Sequence, residues 1–213
     1  YQALWQGFLA ALKRESGEDA IPQSHKNSLT LWLDHFETLW LTYTHAIPSA
    51  TAAKKPGGGF MQIPADVSLY DHAKTTAALA VALWRWHEAN GLTDEAAAKA
   101  IKSGADYDED KFLLVQGDMF GIQDFIFQTG GNTNKFSSKL LRGRSFYVSL
   151  MAECAAVRVL EALGLPSTSQ VINAAGKFTI LAPNTEDSVK ALQDLREEFD
   201  AWSIDKTQGR VGI

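Results

Sequence analysis

An α+β fold is the expectation for this chain: an N-terminal helical region followed by a ferredoxin-like βαββαβ unit. Three observations predict it. Apolar residues recur at helical spacing through the first half, as in Leu4, Trp5, Phe8, Leu9 and Leu12. At Lys111 the pattern changes to short apolar runs, Phe112 to Val115, Val171 to Ala174 and Phe178 to Ala182, the last two hinged at Gly176 as a hairpin. Two helical stretches alternate with these runs, one from about Phe136 to Leu163 and one capped by Asn184 or Thr185, before a fourth strand over Gln208 to Ile213.

In the first half, Gly17 and Pro22 close the opening helix. A second helix from about Ser28 carries Leu29, Trp32, Leu33, Phe36, Leu39 and Trp40 on a broad apolar face suited to packing against other helices. Thr44 to Asp66, with Pro48, Pro56, Pro64 and the glycines 57 to 59, reads as an irregular loop. Lys54 and Lys55 precede those glycines, the wrong order for a phosphate-cradling P-loop, which needs glycine and then Lys-Ser/Thr. A third helix places Leu69, His72, Ala73, Thr76, Ala80, Leu83 and His87 on one face and ends near Gly91. Thr93 caps a short helix over TDEAAAKAIKSG, with acids at its start and Lys102 near its end, as the helix dipole favours. The acidic segment ADYDEDK marks the expected boundary between a helical domain, 1–104, and a second domain, 111–213.

Composition narrows the function classes. The 213 residues hold 20 Lys and Arg against 25 Asp and Glu, a formal charge of -5, with 46% hydrophobic and 21% charged residues, as in soluble globular chains. No run reaches the ~18 apolar residues of a membrane span and no basic-then-apolar leader opens the chain, so the cytoplasm is expected and a membrane partner is not. The one cysteine, Cys154, excludes an internal disulfide framework and a multi-cysteine zinc site. Its neighbours Leu150, Val157 and Leu160 predict a buried thiol. An opening without methionine and an end at GRVGI predict a piece of a larger protein.

Against the acidic background, Lys111 to Met151 is net positive, with Lys111, Lys135, Lys139, Arg142 and Arg144 against Asp118 and Asp124. Lys135, Lys139 and Arg142 share a helix face, with Arg144 just beyond, beside a Gly/Asn/Ser loop. Cations at a loop-to-helix junction suit phosphate, although a charge run on a helix also reads as a solvated face. Asp118 closes the first strand. A catalytic palm holds two metals on a carboxylate there and on others in the central hairpin turn, yet the turn here reads NAAGKF, 173 to 178, with no carboxylate. No catalytic residue is therefore assigned within this chain. Gly117 and Gly176 read equally as tight-turn glycines, and Asp118 as a loop cap. His72, alone on an apolar face, reads as a core or capping residue, and His25, His35, His45 and His87 lack a ligand-like grouping.

GDMFGIQDFIF at 117–127 followed by KLLRGRSF at 139–146 is similar to the first palm domain of the large subunit of type III-A CRISPR effector (Csm) complexes. VSLYDHAKTTAALA at 67–80 resembles the same family, and family-like patterning covers nearly the whole chain. The resemblance implies that the first half is a circularly permuted HD phosphohydrolase region. There His72, with Asp71, would join an upstream His-Asp pair on a divalent metal (Mg, Mn, Ni or Co) that cuts single-stranded DNA. This sequence contains Asp34-His35 and Asp71-His72 but no His-Asp pair. Either that pair precedes Tyr1 or the nuclease is lacking.

For the second half, the family's first palm is degenerate and its second carries GGDD, with ATP held between them and converted to cyclic oligoadenylate when target RNA binds. Gly117, Asp118, Gln123 and the Gly176 turn would line the first palm's share of that ATP pocket. Lys139, Arg142 and Arg144 would meet phosphate, of ATP or of RNA. The implied partners are the small subunit, the subunit that binds the 5′ end of the crRNA, the crRNA and target RNA, and single-stranded DNA in the intact protein. The alternative is a non-catalytic scaffold that binds nucleotide or RNA and docks neighbouring subunits.

Overall fold

The computed structural model describes residues 1–13, 17, 20–49, 51–127 and 137–213. They form two compact units, Tyr1–Ala77 with Pro166–Thr168, and Ala78–Leu165 with Ser169–Ile213. The division falls inside a helix.

The first unit contains α1 (Gln2–Ala11), α2 (Gln23–Lys26) and α3 (Leu29–Thr44). Ser28 caps α3 by accepting from the Leu31 amide at 3.5 Å. Phe8 is buried against Phe36, Trp40 and Tyr43 of α3, ring centroids 6.0, 5.3 and 6.2 Å away, all edge-on. This is the aromatic core that the broad apolar face predicts. The stretch expected to be an irregular loop instead holds an antiparallel hairpin, β1 (Thr51–Lys54) and β2 (Phe60–Ile63), paired from Thr51–Ile63 to Lys54–Phe60. The glycines are its turn: Gly57, Gly58 and Gly59 take φ of 92°, 103° and 79°, and the Lys55 amide donates to the Gly59 carbonyl at 2.9 Å. Glu37 of α3 accepts from Tyr70 at 2.9 Å and from Ser167 at 3.0 Å, and pairs with Lys74.

Helix α4 (Leu69–Ala89) crosses from one unit into the other. Its buried residues are Ala78, Ala82, Trp86 and His87, so of the face expected from the sequence His87 is inside while His72, Thr76 and Ala80 are exposed. The physical reason is size: Ala78 and Ala82 let the helix approach Leu181 closely, whereas reading by large apolar residues favours a different stripe.

The second unit continues with α5 (Asp94–Ser103), β3 (Phe112–Asp118), α6 (Ile122–Phe127), α7 (Ser137–Leu163), β4 (Gln170–Ala174), β5 (Lys177–Pro183) and α8 (Glu186–Thr207). Thr93 stands at the cap position of α5 without a side-chain cap bond, and Gly104 ends that helix in the left-handed region. The sheet is antiparallel, in the order β3-β5-β4. The main core lies between this sheet and helices α7 and α8, with Ala156, Val159, Phe178, Ile180 and Leu195 buried together. Ala78 and Ala82 pack on the opposite side, against Leu181.

Three expectations for this unit are corrected. The stretch from Gln208 to Ile213 is not a strand; it makes an isolated antiparallel bridge between Gly212 and Phe120. Gln208 and Gly209, at φ 55° and 71°, turn the chain back onto α8, where Ser203 and Thr207 hydroxyls each donate to the Val211 carbonyl at 2.7 Å. Side chains thus satisfy backbone that a neighbouring strand would otherwise have to pair. Cys154 is exposed, because α7 buries Val148, Ala152, Ala155, Ala156, Val159 and Leu160, and Cys154 lies half a turn round from both Ala152 and Ala156. Gly117, read from the sequence as a tight-turn glycine, lies inside a strand instead: β3 continues through it to Asp118.

Candidate functional site

Hairpin register builds one end of the second unit. Strands β4 and β5 join through Ala175 and Gly176, at φ 55° and 80°, the two positive values that a type I′ turn requires. This turn sets Lys177 opposite Asp118 across the β3–β5 pair, and the Lys177 ammonium donates to the Asp118 carboxylate at 2.7 Å. Gly117 pairs with Phe178, whose ring lies 2.2 Å from where a Gly117 Cβ would stand, so the glycine makes room for the ring inside the fold. The Gly176 carbonyl accepts from the Met119 amide at 2.9 Å, and a Cβ there would meet Ile122 Cδ1 at 2.7 Å. The loop after β3 is held on its other side by the terminal segment: the Phe120 amide donates to the Gly212 carbonyl at 3.0 Å. Gly121, at φ 74°, would place a Cβ 1.8 Å from the Arg210 carbonyl oxygen, so only glycine fits there.

The residues predicted for the site divide among separate surfaces. Gly117 and Asp118 border a cleft of about 520 Å³ between β3 and α8. Gln123 lines a larger one, about 1140 Å³, with Asp124, Phe125 and the stretch 205–211. Lys139 and Arg144 line a third, about 400 Å³, with Phe125, Tyr147 and Lys206. Arg142 is exposed and donates through Nε to the Ser138 carbonyl at 3.3 Å. Arg144 turns inward, its guanidinium 5.9 Å from the Phe125 ring centroid and donating to the Ile126 carbonyl at 3.2 Å. Lys135 lies outside the described residues.

Sequence reasoning missed Lys177, Lys206 and the Phe125–Tyr147 pair, whose centroids are 5.7 Å apart. Lys177 was the accessible one: a two-residue hairpin turn with Asp118 on the neighbouring strand implies the cross-strand pairing. The Asp205 carboxylate, 2.7 Å from Lys206, holds that ammonium above the usual lysine value through a hydrogen bond and its charge.

Among the described residues, the side chains near His72 and near Asp118 do not by themselves form a three-ligand group for a divalent metal. Asp71 accepts from the Ser68 hydroxyl at 2.7 Å while its amide donates to the same oxygen at 3.0 Å, which caps α4. His72 is exposed beside it, and among the described residues no group of three His, Cys, Asp or Glu side chains could hold a metal ion. At the strand end, an ammonium rather than a second carboxylate faces Asp118.

Residues 111–213 match the family model described as Csm1 subunit domain B. A single-strand-specific deoxyribonuclease Cas10/Csm1 (subtype III-A) of Thermococcus onnurineus is 40% identical over 136 residues, 64% of this chain and 16% of that protein. The protein of the same description from Streptococcus thermophilus is 30% identical over 217 residues, 100% of this chain and 26% of that protein. The chain thus spans about a quarter or less of the length of these relatives. Among solved structures, a Csm1–Csm4 cassette in complex with pppApA superposes with a TM-score of 0.67 at 28% identity, covering 99% of this chain and 25% of that one. A cassette of the same description is also solved with one ATP. The motifs at 117–127 and 139–146, the three-stranded palm sheet and these matches agree: the chain belongs to the Cas10/Csm1 family of type III-A CRISPR large subunits.

Proposed function

We propose that the second unit supplies the first-palm half of an ATP pocket in a type III-A CRISPR interference complex, and that this half binds nucleotide without catalysing phosphoryl transfer. A second palm and target RNA would complete a synthase of cyclic oligoadenylate. The observation that carries the reading is the Asp118–Lys177 pair, 2.7 Å apart where a catalytic palm would set two carboxylates. An ammonium there neutralises the strand-end carboxylate, so Asp118 is suited to orienting a ligand and poorly suited to holding two cations. That related cassettes are solved with ATP and with pppApA supports nucleotide as the ligand class. Their second subunit supports a neighbouring Csm subunit as partner.

A second reading, a scaffold that docks neighbouring subunits, is favoured by the sheet face carrying Leu114 and Ile172, which are 69% and 56% exposed. ATP turnover separates the two. The assembled complex, with guide and target RNA, should convert ATP, and Asp118→Asn in that complex should raise KM several-fold with kcat nearly unchanged. A loss of 100-fold or more in kcat would show that Asp118 holds a catalytic metal and overturn the reading. Unchanged KM and kcat would favour the scaffold.

A further inference from the structure

His87, near the end of α4, is 1% exposed, and both of its ring nitrogens face acceptors. Nδ1 lies 2.8 Å from the Leu83 carbonyl, one turn back on the helix, and Nε2 lies 2.6 Å from an oxygen of the Asp106 carboxylate. A carbonyl has no proton to give. Neither does Asp106 when ionised, and the hydrogen bond with His87, then the charge of Lys111, hold its carboxyl below the usual value. A neutral imidazole carries one N–H and would turn a lone pair toward one of these two oxygens, whereas an imidazolium donates to both. The geometry asks for the charged ring.

That places two cations on one carboxylate. The Lys111 ammonium, itself buried, stands 3.7 Å from the other Asp106 oxygen, too far for a hydrogen bond, and 5.3 Å from the centroid of the Trp86 ring. The charged groups at the His87 ring are therefore Asp106 and, across that carboxylate, Lys111, while Trp86 packs edge-on with its centroid 5.2 Å away. The Lys111 carbonyl accepts from the Asn184 amide at 2.9 Å, which fixes its main chain, so an approach to Asp106 needs only the side chain to move.

We infer that His87, Asp106 and Lys111 form a proton-operated latch: the protonated ring holds the carboxylate, and when Nε2 gives its proton to water the Lys111 ammonium closes the gap and takes the carboxylate over. Nε2 is the position that gives way, because a lone pair there faces an anion, while Nδ1–H stays satisfied on Leu83. The exchange moves the anchor of Asp106 from α4 to the residue that opens β3. Stability contributed by the His87 contact is present while the ring is protonated and is lost as pH rises, with the Lys111 contact replacing it. The latch does not depend on nucleotide binding, so it stands or falls separately from the turnover experiment above.

The test labels the histidine rings of the whole chain with nitrogen-15 and follows His87, identified by NMR through its contact with the Trp86 ring, at pH 5.5 and pH 9. At pH 5.5 both ring nitrogens should carry protons, and at pH 9 only Nδ1 should. Tm is measured at the same two pH values for wild type, His87→Gln and Lys111→Met. The deficit of His87→Gln should be larger at pH 5.5 by about twofold or more, and that of Lys111→Met larger at pH 9 by a similar factor. A neutral ring at pH 5.5 overturns the inference, since a protonated Asp106 would then be the donor. So does a ring that keeps both protons at pH 9, or a deficit in either variant that does not change with pH. The ring measurement uses wild type alone, so it decides the matter even where a variant fails to fold.

Discussion

His87 is almost fully buried, yet it was among the histidines without a grouping in the sequence. Its ring contacts the Leu83 carbonyl at 2.8 Å and Asp106 at 2.6 Å, and Lys111 stands 3.7 Å from the same carboxylate and over the Trp86 ring. The cluster ties the end of α4 to the chain entering β3. The hydrogen bond with His87, and then the charge of Lys111, hold the Asp106 carboxyl below its usual value. A depressed folded-state pKa contributes stability that is present above the unfolded value, near 4, and is lost as pH falls through the folded one. Asp106→Asn should therefore be less stable than wild type at pH 7, and the gap should shrink steadily between pH 5 and pH 2. Urea unfolding at several pH values checks this; a gap that stays constant would mean that the side chain acts through packing alone. None of this was legible beforehand, because Asp106 sits in an acidic run, ADYDEDK, whose composition reads as solvated linker. Burial selected one carboxylate from that run.

At the scale of elements, caps and turns carried most of the legible information. Ser28 and Thr185 each stand at the cap of the helix expected after them, Thr185 accepting from the Ser188 amide at 3.2 Å. The β4–β5 hairpin was visible from two apolar runs around Gly176. Its first turn residue is not optimal, since Ala175 sits at φ 55°, where an L-residue with a Cβ is strained. Ala175→Gly should stabilise the protein by up to about 1 kcal/mol, the relief of strain exceeding the added freedom of the unfolded chain. Chemical denaturation checks the sign; destabilisation would show that the Ala175 side chain contributes packing that offsets the strain. The β1–β2 hairpin was missed because its strands are four residues each and its turn holds one proline and three glycines. Short strands beside such a turn carry too little periodicity to outweigh it.

For the molecule as a whole, a formal charge of -5 coexists with a cleft whose described lining includes Lys139, Arg144 and Lys206 and, among the described residues, no carboxylate. Net charge thus opposes a polyanion at long range while the cleft attracts it locally, and salt screens both. If three cations meet phosphates of a single strand, log affinity should fall with log salt at a slope of about -2. Oligonucleotide titrations from 50 to 300 mM salt check this. A much steeper slope would mean a footprint extending well beyond the cleft, and a flat one would mean that the cations do not meet phosphate.

By itself the sequence determined the kinds and order of the principal helices and of strands β3, β4 and β5, the hairpin around Gly176 and the family. These follow from residue spacing, caps and motifs, which are local properties of the chain. Tertiary structure alone decided which face of each element is inside and which distant residues meet. Rotation of α7 about its axis put Cys154 in solvent and Ala152 and Ala156 in or near the core, though all share one apolar stretch. Strand register, set by two turn residues, brought Lys177 across 59 positions to Asp118 and laid Phe178 over Gly117. Proximity of that kind depends on the packing of whole elements, and no single segment contains the information that fixes it.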